Sequence, residues 1–442
     1  MPKPTKFIVT ETDEFLTSQG GLAMIGMLAQ RCGLRDRISA VVERKKDGSI
    51  STADALLTMT GLLSLSKPDF DAVEQFREDD YFQQCLGLKD VPSEATLRQR
   101  MDETGLSVRD AVLNASTALL KKDASKLSPC FKTYIPIDAD VSPFDNSGSR
   151  KEGVSCTYKL FDGFAPMLAY IGAEGYMLNA ELRPGKQHCQ EGTPEFLRET
   201  IKLARKITDR SLLMRLDAGN DAIENMRICR KEKVDYIIKR NLHKESIEEW
   251  LLDAQAFGQW RTPREGKTVY VGETLRERDG ETMRVIFEVI ERTIDRDGNA
   301  LLLPDIQVHT WWTSLSKREA SPDEIISAYH DHGTSEQFHS ELKSDMALER
   351  LPSGKFSTNA LVLTLSVLAF NMLRLCGQVA IEKGYVPRRE VKRRRLRKVI
   401  QDLMYTAVRI ITHARRLKLA LSRCNPFREA WMQTYRAFAA AG

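Results

Sequence analysis

The sequence lacks most of what would mark a stapled, zinc-clustered or membrane-spanning chain. Its eight cysteines (Cys32, Cys85, Cys130, Cys156, Cys189, Cys229, Cys376 and Cys424) are scattered over 442 residues with no C-x-x-C pair. That spacing argues against a zinc ribbon and a secreted disulfide framework, and leaves reduced, buried thiols as the expectation. The longest uncharged apolar run, Ala360 to Leu373, is too short for a bilayer span and is broken by Thr364, Ser366 and Asn371, so it reads as a buried core helix. Charge of one sign is barely in excess: 66 Lys and Arg against 61 Asp and Glu leave +5, with 29% charged and 42% hydrophobic residues. This is the balance of a globular protein, not of a disordered or collagen-like one. Met1 is followed by Pro-Lys-Pro-Thr-Lys without an apolar segment or a small-residue cleavage site, so a cytoplasmic protein with no membrane partner is expected.

At roughly 150 residues per domain the length suggests about three domains. From Gly20 to about Lys122 the apolar period is helical: Leu22, Ile25, Leu28 and Ala29 form one face, and Thr52 opens a helix through Leu56, Leu57, Met59, Leu62 and Leu63. An all-helical N-terminal domain over residues 1–128 follows. Beyond Pro129 the texture alternates, with strands expected at Tyr134–Ile137, Gly163–Ile171, Met177–Leu182, Leu212–Leu216 and Tyr236–Ile238, and helices near Pro194 and over Ala222–Arg230. That is a mixed α/β layer, residues 129–247. Residues 248–304 read as a β-rich insertion of hairpins, with Asp279-Gly280 and Asp297-Gly298 as turns. A return strand at Val308–Leu315 and a capping box, Ser321-Pro-Asp-Glu324, then open the second part of the core, 305–378. The remainder, 379–442, reads as basic and helical.

Acids close two strands in this layer. Asp138 and Asp140 end Tyr-Ile-Pro-Ile-Asp-Ala-Asp, and Asp217 ends Leu-Leu-Met-Arg-Leu. An acid there must be solvated, hydrogen-bonded or bound to a cation. The ordinary alternatives are turn formation after Asp140 and helix capping by Asp217 or Asp221. Two such strand ends side by side would bring carboxylates to one hard cation, Mg²⁺ or Mn²⁺. A third acid lies in a segment where Tyr329, His332, Glu336 and Lys343 fall at i, i+3, i+7 and i+14, one stripe on a continuous helix. Gly333 leaves a second possibility, that one helix ends there and another is capped at Thr334.

These residues resemble the DDE transposases of the IS4 superfamily. The resemblance rests on the Ile-Asp-Ala-Asp-Val-Ser run, the Arg215-Leu-Asp217-Ala-Gly strand end and the Tyr329/Glu336/Lys343 spacing. Arg183-Pro-Gly185, Asp235-Tyr-Ile-Ile-Lys239 and Tyr158-Lys with Asp162-Gly-Phe-Ala-Pro166 resemble the IS1380 family in particular. The resemblance implies an RNase H-like core with a β-rich insertion between the second Asp and the Glu. It also implies catalytic and metal-binding roles for Asp217, Glu336 and either Asp138 or Asp140, with two Mg²⁺ or Mn²⁺ ions. Asp140 better fits the sequence that follows the family's first Asp, Asp138 better fits the strand length, and Asp140 is preferred. Tyr329 and Lys343 match the signature tyrosine and lysine, whereas His332 stands where the signature has Arg and gives up a permanent bidentate phosphate fork.

The resemblance further implies cleavage of double-stranded DNA at terminal inverted repeats and strand transfer into target DNA, by a homodimer in a synaptic complex. Candidate backbone contacts are the run Arg388, Arg389, Lys392, Arg393, Arg394, Arg395, Arg397 and Lys398. Arg98 and Arg100, early in a helix starting near Ser93, are candidate major-groove readers. Trp311 and Trp312 are candidates to stack on a displaced base, with core packing the alternative. Other readings are a catalytically inactive DNA-binding descendant of a transposase and a general RNase H-like nuclease.

Overall fold

The computed structural model describes residues 5–42, 50–123, 127–242, 245–295, 297–382, 384, 391–414 and 416–440. Its centre is a nine-stranded mixed sheet built from β1 (Ile135–Val141), β2 (Met167–Ile171), β3 (Tyr176–Glu181), β4 (Leu212–Leu216), β5 (Asp235–Lys239), β6 (Gln259–Arg264), β7 (Lys267–Arg278), β8 (Glu281–Ile294) and β9 (Ala300–Thr313). The spatial order is β6-β7-β8-β9-β5-β4-β1-β2-β3. Strands β1, β4 and β5 run parallel, β2 lies antiparallel beside β1, and β3 lies antiparallel beside β2 at the sheet edge. The parallel connections pass through helices Thr193–Ile207 and Ile223–Lys231, as crossovers between parallel strands require.

Side chains alternate between two cores. Ile135, Ile137, Ala139, Leu212, Met214 and Leu216 join the large cluster that includes helix Phe356–Glu382. Leu213, Ile237, Ile286 and Trp311 face the smaller cluster, closed by Ile325, Ile326 and Ala328 of helix Pro322–His330. By the same parity Asp138, Asp140, Arg215 and Asp217 belong to the second face. Helix Phe356–Glu382 is 27 residues long, and its most apolar stretch is wholly buried inside the protein. It forms a spine between the N-terminal helices and the sheet.

Several elements differ from the sequence reading. Asp138 and Asp140 lie inside β1, because the strand continues to Val141. Pro166 splits the expected Gly163–Ile171 strand into Asp162–Phe164 and β2, since proline supplies no ladder N–H. The region 248–304 is not purely strand: helix Ile247–Phe257 starts under Ser246, whose side chain accepts from the Glu249 N–H at 3.2 Å, and buries Trp250 and Ala254 at an i, i+4 spacing. Its hairpins extend the central sheet, with β9 hydrogen-bonded to β5 through Trp311–Lys239, Trp312–Ile238 and Thr313–Ile237. The C-terminal region is not all helix either. Val408–His413 and Arg416–Leu421 form an antiparallel hairpin, and the first of them also pairs with Leu16–Thr17.

Candidate active site

The register of two parallel strands builds the site. Asp138 lies opposite Arg215 and Ala139 opposite Leu216, so Asp140 and Asp217 stand next to one another where β1 and β4 end. Asp138, 3% exposed, takes a bidentate pair from Arg215, Nε to Oδ1 at 2.6 Å and Nη2 to Oδ2 at 2.7 Å, while Arg215 Nη1 donates to the Ala328 carbonyl at 2.6 Å. His332 Nδ1 lies 2.8 Å from Asp138 Oδ1. Burial raises the Asp138 carboxyl, but Arg215 and His332 outweigh it and hold it at about 2. Both oxygens of Asp138 are therefore committed to protein partners, which leaves Asp140 as the strand acid open to a ligand.

Asp140 behaves oppositely. Burial, then the neighbouring Asp217 charge, push its carboxyl up to about 7, with Glu336 adding to the repulsion. Its compensating contact is the Val141 N–H at 2.7 Å. Asp217 accepts from Asn220 Nδ2 at 2.8 Å, and the turn behind it is clasped at the Gly219 carbonyl by Cys189 Sγ (2.8 Å) and Gln190 Nε2 (2.7 Å). Buried Arg183 supports that clasp, donating to the Cys189 carbonyl and Thr193 Oγ1, each at 3.1 Å. An all-carboxylate donor set with mutual repulsion suits a hard divalent cation. Among the described residues no three His, Cys, Asp or Glu side chains are gathered closely enough to hold an ion, so Glu336 contributes through its charge on Asp140 and stands outside a closed cage.

The segment carrying Glu336 is helical throughout. Pro322–His330, a tight 3₁₀ turn Asp331–Gly333, Thr334–Ser340 and a π turn Glu341–Asp345 follow without a break, and Gly333 keeps helical angles (φ −54°, ψ −16°). The capping box at Ser321 and Glu324 is present. The changes of pitch shift the stripe: Glu336 is exposed, while His332 turns inward. The Tyr329 ring lies 5.5 Å from His332 and 5.6 Å from Trp311, and its phenol is raised by burial and by Asp217 and Asp140. Lys343 donates to the Pro143 carbonyl at 2.5 Å, and burial, then Lys159, lower its ammonium. A buried ion pair, Glu341 with Arg374 of the spine helix, fixes the end of this segment, and Arg374 also donates to the Arg394 carbonyl at 2.9 Å.

Several candidate DNA contacts are placed elsewhere. Trp311 and Trp312 are 1% and 2% exposed, and Trp312 Nε1 donates to Asp221 at 3.0 Å, so both are core residues closed to a displaced base. Arg100 is 8% exposed and bound to the Ile50 carbonyl and Glu103; Arg98 pairs with Glu94 on a groove shared with Asp102 and Glu103. That acidic face is a poor match for a major groove. Arg394 is buried against Asp402, and Arg395 and Arg397 share Asp345. Lys392 and Lys398 are exposed, and Arg393 donates to Gln337 beside Glu336 at 2.5 Å. Arg388 and Arg389 lie outside the described residues. The sequence reading missed the Asp138–Arg215–His332 network, whose members are separated by up to 194 positions; the one available signal was an arginine inside an otherwise apolar strand.

A mixed α/β sheet with neighbouring strand-end acids is the frame of a DDE-type protein. The chain matches the family model described as transposase DDE domain group 1 over residues 5–441, and it belongs to that family. Among solved structures it is similar to a piggyBac transposase synaptic complex with hairpin DNA, at 12% identity and a TM-score of 0.40, covering 88% of this chain and 80% of that one. No curated protein matches it.

Proposed function

We propose that the protein is the transposase of an insertion sequence of the IS4 superfamily, most like the IS1380 family, with an RNase H-like core. In this reading it cuts double-stranded DNA at terminal inverted repeats and joins the ends to target DNA. The observation that carries it is the pair Asp140 and Asp217 at adjacent parallel strand ends, with the charge of Glu336 felt at Asp140. Asp140 and Asp217 would hold Mg²⁺ or Mn²⁺, with Glu336 adding its negative charge beside them, and the ion when bound supplies activation of the attacking oxygen and stabilisation of the leaving one in an in-line phosphoryl transfer. Asp138 is reassigned as a positioning residue that locks β1 to β4 and to the Glu336 segment. Tyr329, kept protonated, donates a hydrogen bond to a phosphate oxygen, and Lys343 supplies a cation at the opposite end of the same helical run. Lys392, Arg393 and Lys398 line the approach of the DNA backbone. A homodimer working in the cytoplasm, with one active site for each transposon end, completes the reading.

The test is cleavage of an end-labelled duplex spanning a terminal repeat and its flank, in Mg²⁺ or EDTA, with wild type and Glu336→Ala. Metal-dependent cuts at the repeat boundary, lost in the variant, are expected. Binding without any cut would point instead to an inactive DNA-binding descendant, and cuts without regard to the boundary to a general nuclease.

A further inference from the structure

The motif Tyr158-Lys159-Leu160 has no part in the chemistry above. It tips a small sheet of Phe144–Asp145, Asp162–Phe164 and Ser155–Cys156. The chain enters that sheet from β1 just after Val141 and re-enters the central sheet at β2, so it stands at the acid end of the strands. It is anchored there: the Pro143 carbonyl receives Lys343, Ser155 Oγ accepts the Lys186 N–H at 2.9 Å, and Gly185 lies so close to the Ser155 carbonyl that a Cβ would sit at 2.1 Å. The turn itself is rigid. Thr157 donates to the Phe161 carbonyl through both N–H and Oγ1 at 2.9 Å, and the Leu160 N–H donates to the Thr157 carbonyl at 3.0 Å.

Within this turn Leu160 has a φ of 64°, a left-handed conformation unfavourable for a residue with a Cβ. Its side chain is 87% exposed, and that of Tyr158 65%. A lone exposed leucine is unremarkable. Here backbone strain and three hydrogen bonds hold it rigidly at the rim of the acid site, beside an aromatic ring and Lys159, whose Nζ lies 5.8 Å from that ring. The negative charges of Asp140 and Asp217 reach the Tyr158 phenol, and the charge of Lys159 reaches Lys343 and His339. An apolar tip beside a cation matches stacked bases next to a phosphate, and it adjoins the surface where the cut strand must lie.

We infer that the Tyr158–Leu160 turn is a wedge that opens the DNA duplex at the cleavage junction, with Leu160 entering between base pairs and Lys159 meeting the adjacent backbone phosphate. Apolar side chains inserted at a base step unstack it in this way. The inference rests on the transposase reading, and its test separates the two. A terminal-repeat duplex carries 2-aminopurine at the junction; full-length wild type and Leu160→Gly are added in Ca²⁺ for binding and opening, then in Mg²⁺ for cutting. Glycine suits a positive φ, so the variant should fold with an unchanged or higher melting temperature.

Wild type should raise the fluorescence severalfold on binding. Leu160→Gly should bind within about twofold yet lose that rise, cut the paired junction at least tenfold more slowly, and recover on a junction premelted by mismatches. Opening and paired cutting retained in Leu160→Gly would overturn the wedge, as would binding by wild type without opening. A changed oligomeric state with opening intact would assign the tip to a second copy of this chain and also overturn it. Opening without cutting by wild type would refute the catalytic reading and leave the wedge standing.

Discussion

Asp138 and Asp140 differ by two positions and should respond in opposite directions to loss of charge. Asp138→Ala strands the Arg215 guanidinium, 3% exposed, with the Ala328 carbonyl and no anion. Breaking such a buried pair costs about 3–5 kcal/mol. Asp140→Asn removes a charge that burial and Asp217 oppose. The displacement of its carboxyl from 3.8 to about 7 corresponds to about 4 kcal/mol of relief at pH 8, taking 1.36 kcal/mol per tenfold change in proton affinity. In urea unfolding at pH 8 with EDTA, Asp138→Ala should therefore shift to lower denaturant and Asp140→Asn to higher. DNA cleavage should vanish in Asp140→Asn and survive, reduced, in Asp138→Ala wherever that variant is folded. An Asp138→Ala protein as stable as wild type but unable to cut would refute the assignment, because it would make Asp138 the reacting acid.

The same two groups set a pH signature. Asp138 titrates near 2 in the folded protein, so its stabilisation is present above the unfolded value near 4 and is lost as pH falls towards 2; Asp140, raised, favours the fold below pH 4 and loses that contribution as pH climbs towards 7. Metal-free unfolding midpoints from pH 4 to 8 should therefore fall more steeply in wild type than in Asp140→Asn, and added Mg²⁺ should stabilise wild type more at pH 8 than at pH 5. Glu341→Leu leaves Arg374 buried without its anion and should cost about 3–5 kcal/mol, most of it recovered in Glu341→Leu/Arg374→Met; a double-mutant cycle in urea checks this. Gly175 has a φ of 70°, and a Cβ there would lie 2.1 Å from the Phe338 ring, two residues beyond Glu336. Gly175→Ala should cost about 1–3 kcal/mol by overpacking and displace the Glu336 segment, read as a lower melting temperature with slower cleavage.

What the sequence made legible was local. Alternation located β4 at the observed limits, and the capping box at Ser321 located the helix that leads to Glu336. What it hid was set by contacts between distant residues. Nothing near Asp138 announces Arg215, and nothing near His332 announces Asp138. From sequence alone His332→Arg is expected to preserve or raise activity, yet a guanidinium there would crowd Arg215 over one carboxylate already held bidentately, so the structure predicts a loss. The hairpin at 408–421 escaped notice because the strict alternation of Arg416–Leu421 was absorbed into the basic, helical reading of residues 379–442. Helix Ile247–Phe257 escaped because its buried face has only Trp250 and Ala254.

The spine helix Phe356–Glu382 also bears on the order in which the protein matures during synthesis. It lies C-terminal to every acid of the site, yet it holds the Glu336 segment through Arg374 and fills the core beneath the sheet. A growing chain that has already presented Asp140, Asp217 and Glu336 still lacks the element that fixes their relative positions. Nuclease competence is thus expected to wait until nearly the whole chain has left the ribosome, and fragments ending before residue 356 should be inert towards DNA.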